Sequence, residues 1–104
     1  MKTVEILPRN KSPLYSALVK REAAIRQNGR GTFTRSGPKR QGKATWKHKR
    51  FKGSVNLRRG PAEVVTAKVR SGHPEDEGKL LKAFLGFIDR HCGDQVLSIT
   101  IHYG

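Results

Sequence analysis

The chain has a single cysteine, Cys92, in 104 residues. No disulfide can form within it, which fits a reducing compartment. One cysteine is also too few for a zinc finger. The four histidines, His48, His73, His91 and His102, show no zinc-ligand spacing. No metal site and no cofactor are expected. Cys92 itself reads as a small apolar residue at a helix end, because a thiolate nucleophile needs a polar, cationic setting. Long apolar runs are missing too. Nothing approaches the roughly 20 residues of a membrane-spanning helix. No apolar run precedes Pro8 and Arg9, so no signal peptide is read. The expectation is a soluble, cytoplasmic protein with no membrane partner. The phosphate-binding glycine patterns GxxxxGKS/T and GxGxxG do not occur.

Acidic residues are scarce, and their placement is informative. There are 8 Asp and Glu against 22 Lys and Arg, a formal net charge of +14. Residues 1–60 hold 17 of the cations with only Glu5 and Glu22, whereas residues 61–104 are close to neutral. From Gly29 to Arg59 there is no carboxylate at all. That stretch carries Arg30, Arg35, Lys39, Arg40, Lys43, Lys47, Lys49, Arg50, Lys52, Arg58 and Arg59. A solvated protein face normally mixes both signs. An unmixed block repels itself and calls for a counter-charge. A polyphosphate backbone supplies one and gains entropy from released counterions. Phe33, Trp46 and Phe51 interleave with these cations. Exposed rings of this kind stack on bases, so Phe33 and Trp46 are stacking candidates; the alternative is that Trp46 and Phe51 are core residues of a strand pair and that Phe33 covers the Gly-rich loop.

The pattern predicts one α+β domain spanning 1–104. A short strand is expected at Thr3–Leu7. Ser12 as N-cap and Pro13 at the first helical position open a helix. Its apolar stripe is Leu14, Ala17, Leu18, Ala24 and Ile25, and Asn28-Gly29 ends it. Residues 29–43, punctuated by Gly29, Gly31, Gly37, Pro38 and Gly42, show no apolar period and read as a flexible, basic, Gly-rich loop. Strands are expected at Thr45–Phe51, Ser54–Arg59 and Glu63–Arg70, joined by short turns as an antiparallel meander. Pro74 and the acids Glu75, Asp76 and Glu77 begin a second helix, where the dipole favours anions. Leu80, Leu81, Phe84, Leu85, Phe87, Ile88 and Cys92 give it a broad apolar face. The last segment alternates Leu97, Ile99, Ile101 and Tyr103 against Ser98, Thr100 and His102. It is expected inside the sheet. The expected architecture is therefore a small antiparallel sheet, a three-strand meander plus a C-terminal strand, packed with two helices. The order helix, three strands, helix resembles that of double-stranded-RNA-binding domains. The extra C-terminal strand and the acidic start of the second helix depart from that pattern.

Three functions fit these residues. The first is a nucleic-acid-binding module without catalysis, DNA or RNA, acting mainly through phosphate-backbone electrostatics. Its contact residues would be Arg30, Arg35, Lys39, Arg40, Lys43, Trp46, Lys47, Lys49, Arg50, Arg58 and Arg59. The second is a protein-interaction or assembly module, in which an acidic protein neutralises the basic block and the near-neutral C-terminal half serves a homodimer. The third is a small metal-independent ribonuclease. His48 lies in Lys47-His48-Lys49-Arg50, and His102 lies on the polar face of the last strand. Were these faces to coincide, an imidazole base and a guanidinium would meet at one phosphate.

Overall fold

The computed structural model describes residues 1–104. The expected Thr3–Leu7 strand forms as β1 (Lys2–Pro8). Its link to the first helix turns through Asn10 and Lys11, both with positive φ. Helix α1 spans Leu14–Gln27 with Pro13 as N-cap. Ser12, expected in that role, instead donates its hydroxyl to the Arg9 carbonyl at 2.6 Å. The α1 stop is as read. Gly29 takes φ +68, its N–H donates to the Arg26 carbonyl, and the Arg30 N–H donates to that of Ile25. This is the paired-bond closure that a left-handed glycine makes at a helix end. The buried stripe of α1 differs from expectation. It runs Leu14, Tyr15, Leu18, Glu22, so a carboxylate occupies a position one turn beyond Leu18. Glu22 is 1 % exposed and pairs with Arg26 at 3.0 Å.

Residues 33–40, expected within a loop, form the strand β2 (Phe33–Arg40). Strands β3 (Lys43–His48), β4 (Ser54–Arg59) and β5 (Val65–Arg70) follow. The strand expected at Thr45–Phe51 thus starts and ends earlier. The Gln41-Gly42 turn joins β2 to β3, with Arg40 opposite Lys43. Helix α2 spans Pro74–Cys92, with Pro74 in its first turn. Its acids hold the neighbouring chain: Asp76 accepts from the Lys52 N–H at 2.9 Å, and Glu77 accepts from Lys2 at 3.0 Å. The last strand, β6, spans Val96–His102.

The six strands form one antiparallel sheet in the order β2-β3-β4-β5-β1-β6. The sheet is wider than expected. β6, expected inside, is an edge, while β1 lies between β5 and β6. These added strands also end the resemblance to a helix, three strands, helix order. Both helices pack on one face. The main sheet contacts of α1 are with β2 and β4, and those of α2 are with β4 and β5. Between the layers lies one core of Val4, Ile6, Leu14, Leu18, Trp46, Val55, Leu57, Val65, Ala67, Val69, Leu80, Phe84, Ile88 and their neighbours. The helix layer covers one side of the sheet and leaves the other to solvent.

Candidate nucleic-acid interface

Side chains of directly opposed strand residues share a face, so the pairing register defines the open side of the sheet. One row crosses all six strands as Arg40, Lys43, Arg58, Thr66, Glu5, Thr100. The next crosses as Ser36, Thr45, Asn56, Lys68, Thr3, His102. Lys47 lies on the same side opposite Thr34, and Arg70 lies opposite Ser54. Core residues Trp46, Val55 and Val69 occupy the alternating row and point the other way. The first row places three cations on three adjacent strands, about 4.8 Å apart from strand to strand. Glu5 is the one carboxylate in these two rows, and it lies on β1, beyond the cationic strands.

The β2–β5 part of this face is concave, with a volume of about 550 Å³. Its walls are Ser36, Gly37, Pro38, Arg40, Lys43, Ala44, Thr45, Asn56, Leu57, Arg58, Thr66 and Lys68. Thr45 donates its hydroxyl to the Asn56 amide oxygen at 2.9 Å, and the Asn56 amide nitrogen donates to Ser54 at 3.2 Å. These bonds fix the polar floor between the cations.

Of the cations expected to touch phosphate, Arg40, Lys43, Lys47 and Arg58 are brought together on this face. Lys68, Arg70 and the polar floor were not singled out as site residues. The alternation of Thr66, Lys68 and Arg70 against Val65, Ala67 and Val69 carried the signal, but only the register shows which cations they join. Arg35, Lys39 and Arg59 lie elsewhere. With Tyr15 and Lys20 they line a second concavity of about 230 Å³ between α1 and the β2–β3 hairpin. Arg40 and Lys43 border both concavities. The Arg35 Nε is buried there with no hydrogen-bond partner. Burial raises the Tyr15 hydroxyl pKa, and the Arg59 charge opposes that rise. Lys49 and Arg50 sit exposed in the β3–β4 connection, and Arg30 sits exposed between α1 and β2.

The stacking role expected of Trp46 and Phe33 does not survive. Trp46 is fully buried and Phe33 nearly so. The Trp46 ring lies 6.0 Å from Phe33, 6.1 Å from Phe84 and 5.1 Å from Phe87. Burying these rings together removes far more apolar area from water than a loop position would. Phe51 packs flat on His48, with centroids 4.5 Å apart.

The histidine cluster does not form either. His48 shares the core side of β3 with Trp46, opposite Phe33, whereas His102 belongs to the solvent face of β6. Three strands separate β3 from β6. The His48 Nδ1 accepts the backbone N–H of Arg50 at 3.0 Å, which ties down the β3–β4 turn. Burial and the Arg50 charge hold its pKa below the ordinary histidine value. His102 contacts Glu5 at 4.0 Å. Burial raises the pKa of the Cys92 thiol, in keeping with its place at the buried end of α2.

No protein-family model, curated protein or solved structure matches the chain.

The chemistry of the face follows from its charges alone. Arg40, Lys43, Arg58 and Lys68 each meet water rather than a carboxylate partner, so their donors remain available to an anion. Thr45, Asn56 and Thr66 add neutral groups that bond phosphate oxygens without repelling them. No helix of the chain is long and apolar enough to cross a membrane, and no group of three His, Cys, Asp or Glu side chains converges as metal ligands.

Proposed function

We propose that the chain binds the phosphate backbone of a nucleic acid across the open face of its sheet, without catalysis. One observation carries this reading: a concave face lined by Arg40, Lys43, Arg58 and Lys68 with no carboxylate in its wall. Such a surface in a chain of net charge +14 gathers counterions that a polyanion would release on binding.

The disposition of the rings supports a duplex over a single strand. Proteins that hold single strands present aromatic platforms to unstacked bases. Here Tyr15, Phe33, Trp46, Phe84 and Phe87 are buried, Phe51 is half-buried against His48, and Tyr103 lies at the end of β6 on its apolar side. Tyr103 and Phe51 each meet a lysine, Lys2 at 5.8 Å and Lys79 at 5.7 Å, but no ring lines the concave face of Arg40, Lys43, Arg58 and Lys68. Binding is then read from the backbone, with little choice of sequence.

The test is fluorescence anisotropy of labelled single- and double-stranded DNA and RNA at several salt concentrations. The expected result is duplex binding whose log affinity falls steeply with log salt. Changing Arg40, Lys43, Arg58 and Lys68 together to Gln should make that slope shallower by about three. Absence of binding at low salt would overturn the reading and leave an acidic protein as the counter-charge.

A further inference from the structure

We infer that β6 is the seam of a homodimer, in which two copies pair β6 to β6, antiparallel, and join their sheets edge to edge. The inference stands on observations separate from the basic face.

The two sheet edges are built differently. An unpaired edge strand offers a row of N–H and C=O groups to any other strand, and proteins guard such edges with charges, prolines and bulges. β2 is guarded in all three ways. It carries Arg35, Lys39 and Arg40, it contains Pro38, and its register breaks between Ser36 and Arg40. β6 has neither proline nor a Lys or Arg over its seven residues, the one strand of the six without either cation. Its single register break lies at its start, where Leu7 faces Ser98 and Pro8 faces Val96, so that Leu97 is the bulged residue.

β6 also overhangs the helix layer. Ile99 and Ile101 lie opposite Ile6 and Val4, on the core side, yet the helices pack chiefly on β2, β4 and β5. Leu97 and Tyr103 are 58 % and 67 % exposed, and Ile99 is 36 % exposed. Ile6 and Val4, one strand inward, are fully buried. Ile101 still reaches the core, but Leu97, Ile99 and Tyr103 leave exposed apolar surface along an open backbone edge.

Charge selects the occupant. Two chains of net charge +14 repel one another wherever their basic strands approach. At β6 the strand itself contributes no cation, so identical copies meet there with least repulsion. An acidic partner would find its counter-charges on β2–β5 instead. Antiparallel pairing of a strand with itself is a two-fold contact, in which each residue meets its counterpart's complement. A two-fold through Ile99 sets Leu97 against Ile101. One through Thr100 sets Leu97 against Tyr103 and Ile99 against Ile101. Either register brings Ile99 and Ile101 of both copies onto one face, with the exposed, bulged Leu97 beside them.

The test is sedimentation equilibrium of the nuclease-treated full chain across the micromolar range at moderate salt. A dimer is expected. Leu97→Lys alone, and Leu97→Lys with Ile99→Lys, should shift it to monomer while the circular dichroism spectrum stays that of the parent. Because Leu97 is exposed, the single variant separates loss of dimer from loss of fold. Thr100→Cys should cross-link through a short bis-maleimide, since both registers set it opposite Thr100 or Ser98 of the second copy, whereas Thr34→Cys on the β2 edge should not. A parent chain that stays monomeric would overturn the inference. So would a dimer that survives the lysine variants or cross-links through β2. All readouts are made without nucleic acid, so they are unaffected by whether the basic face binds one.

Discussion

Single positions in this chain are decided by space and by proton affinity. Gly53 shows the first. Its φ is +122, and a Cβ there would lie 2.1 Å from the Arg70 carbonyl oxygen, with Leu80 and Ser71 also closer than 3.0 Å. The β3–β4 connection passes so close to the end of β5 that no side chain fits. Gly53→Ala should therefore cost about 3 kcal/mol, from a strained backbone and a forced displacement of backbone. Urea denaturation followed by circular dichroism measures it, and a loss under about 1 kcal/mol would contradict the close approach. His48 and His91 show the second. Burial holds both below the ordinary histidine value, assisted by Arg50 for His48 and by Arg21 and Arg90 for His91. Each accepts a hydrogen bond at Nδ1, His48 from the Arg50 N–H and His91 from the Arg21 Nε at 3.2 Å. The unfolded chain binds these protons more readily, so stability rises with pH in this window. Their contribution is full above the unfolded value of about 6.5 and is lost as pH falls through the lower folded values. Glu77, whose pKa is depressed mainly by its bond to Lys2, adds a loss at lower pH of the same sign. The melting temperature should fall on acidification from neutrality, and His48→Gln should flatten the upper part of that fall. A melting temperature unchanged between neutrality and mild acid would refute the assignment.

At the scale of elements, what the sequence could show depended on how much apolar surface each element buries. α2 carries six buried apolar residues in Leu80, Leu81, Phe84, Phe87, Ile88 and Cys92, so its period was plain. β5 alternates Val65, Ala67 and Val69 cleanly for the same reason. β2 gives no such pattern, because as an edge strand it buries Phe33 alone. Its other residues face solvent or the space under α1, and its glycine and proline mimic a loop. β6 misled in the opposite sense. Its alternation is as strong as that of an inner strand, yet its apolar side is only partly covered, with Ile101 against the core and Ile99 exposed, and strand order lies outside what alternation can tell. The same limit hid the site: sequence named Arg40, Lys43 and Arg58, but only register placed Lys68 beside them. The β4–β5 link provides a local test. The Val64 N–H donates to the Pro61 carbonyl across Ala62 and Glu63, both with positive φ. Such two-residue turns favour Asn at the first of these positions, where alanine pays the left-handed strain. Ala62→Asn should raise stability by about 0.5–1 kcal/mol, measured by thermal and urea unfolding. A loss of stability would mean that the turn is not left-handed in solution.

For the whole molecule the question is whether charge acts by amount or by place. A chain at +14 attracts any polyanion to some degree, so weakened binding after removal of a few cations proves little by itself. The two concavities allow a matched comparison. Lys47, Arg58 and Lys68 project from three adjacent strands on the open face, while Lys20, Lys39 and Arg59 line the cleft beside α1. Changing either trio to Gln removes the same charge, and all six side chains are exposed, so neither trio should unfold the chain. If net charge alone drives association, both variants lose affinity alike and keep similar salt slopes. If the open face makes the contacts, the first trio should lose about a hundredfold at moderate salt and its slope should fall by two to three. The second should then change little beyond a modest, long-range loss that screening removes as salt rises. The opposite ranking would move the interface to the cleft, where Arg35 already holds a buried, unpartnered Nε. Anisotropy titrations of the parent and both variants against one duplex, at three or more salt concentrations, separate these cases, because slope counts the phosphates contacted whereas affinity alone does not.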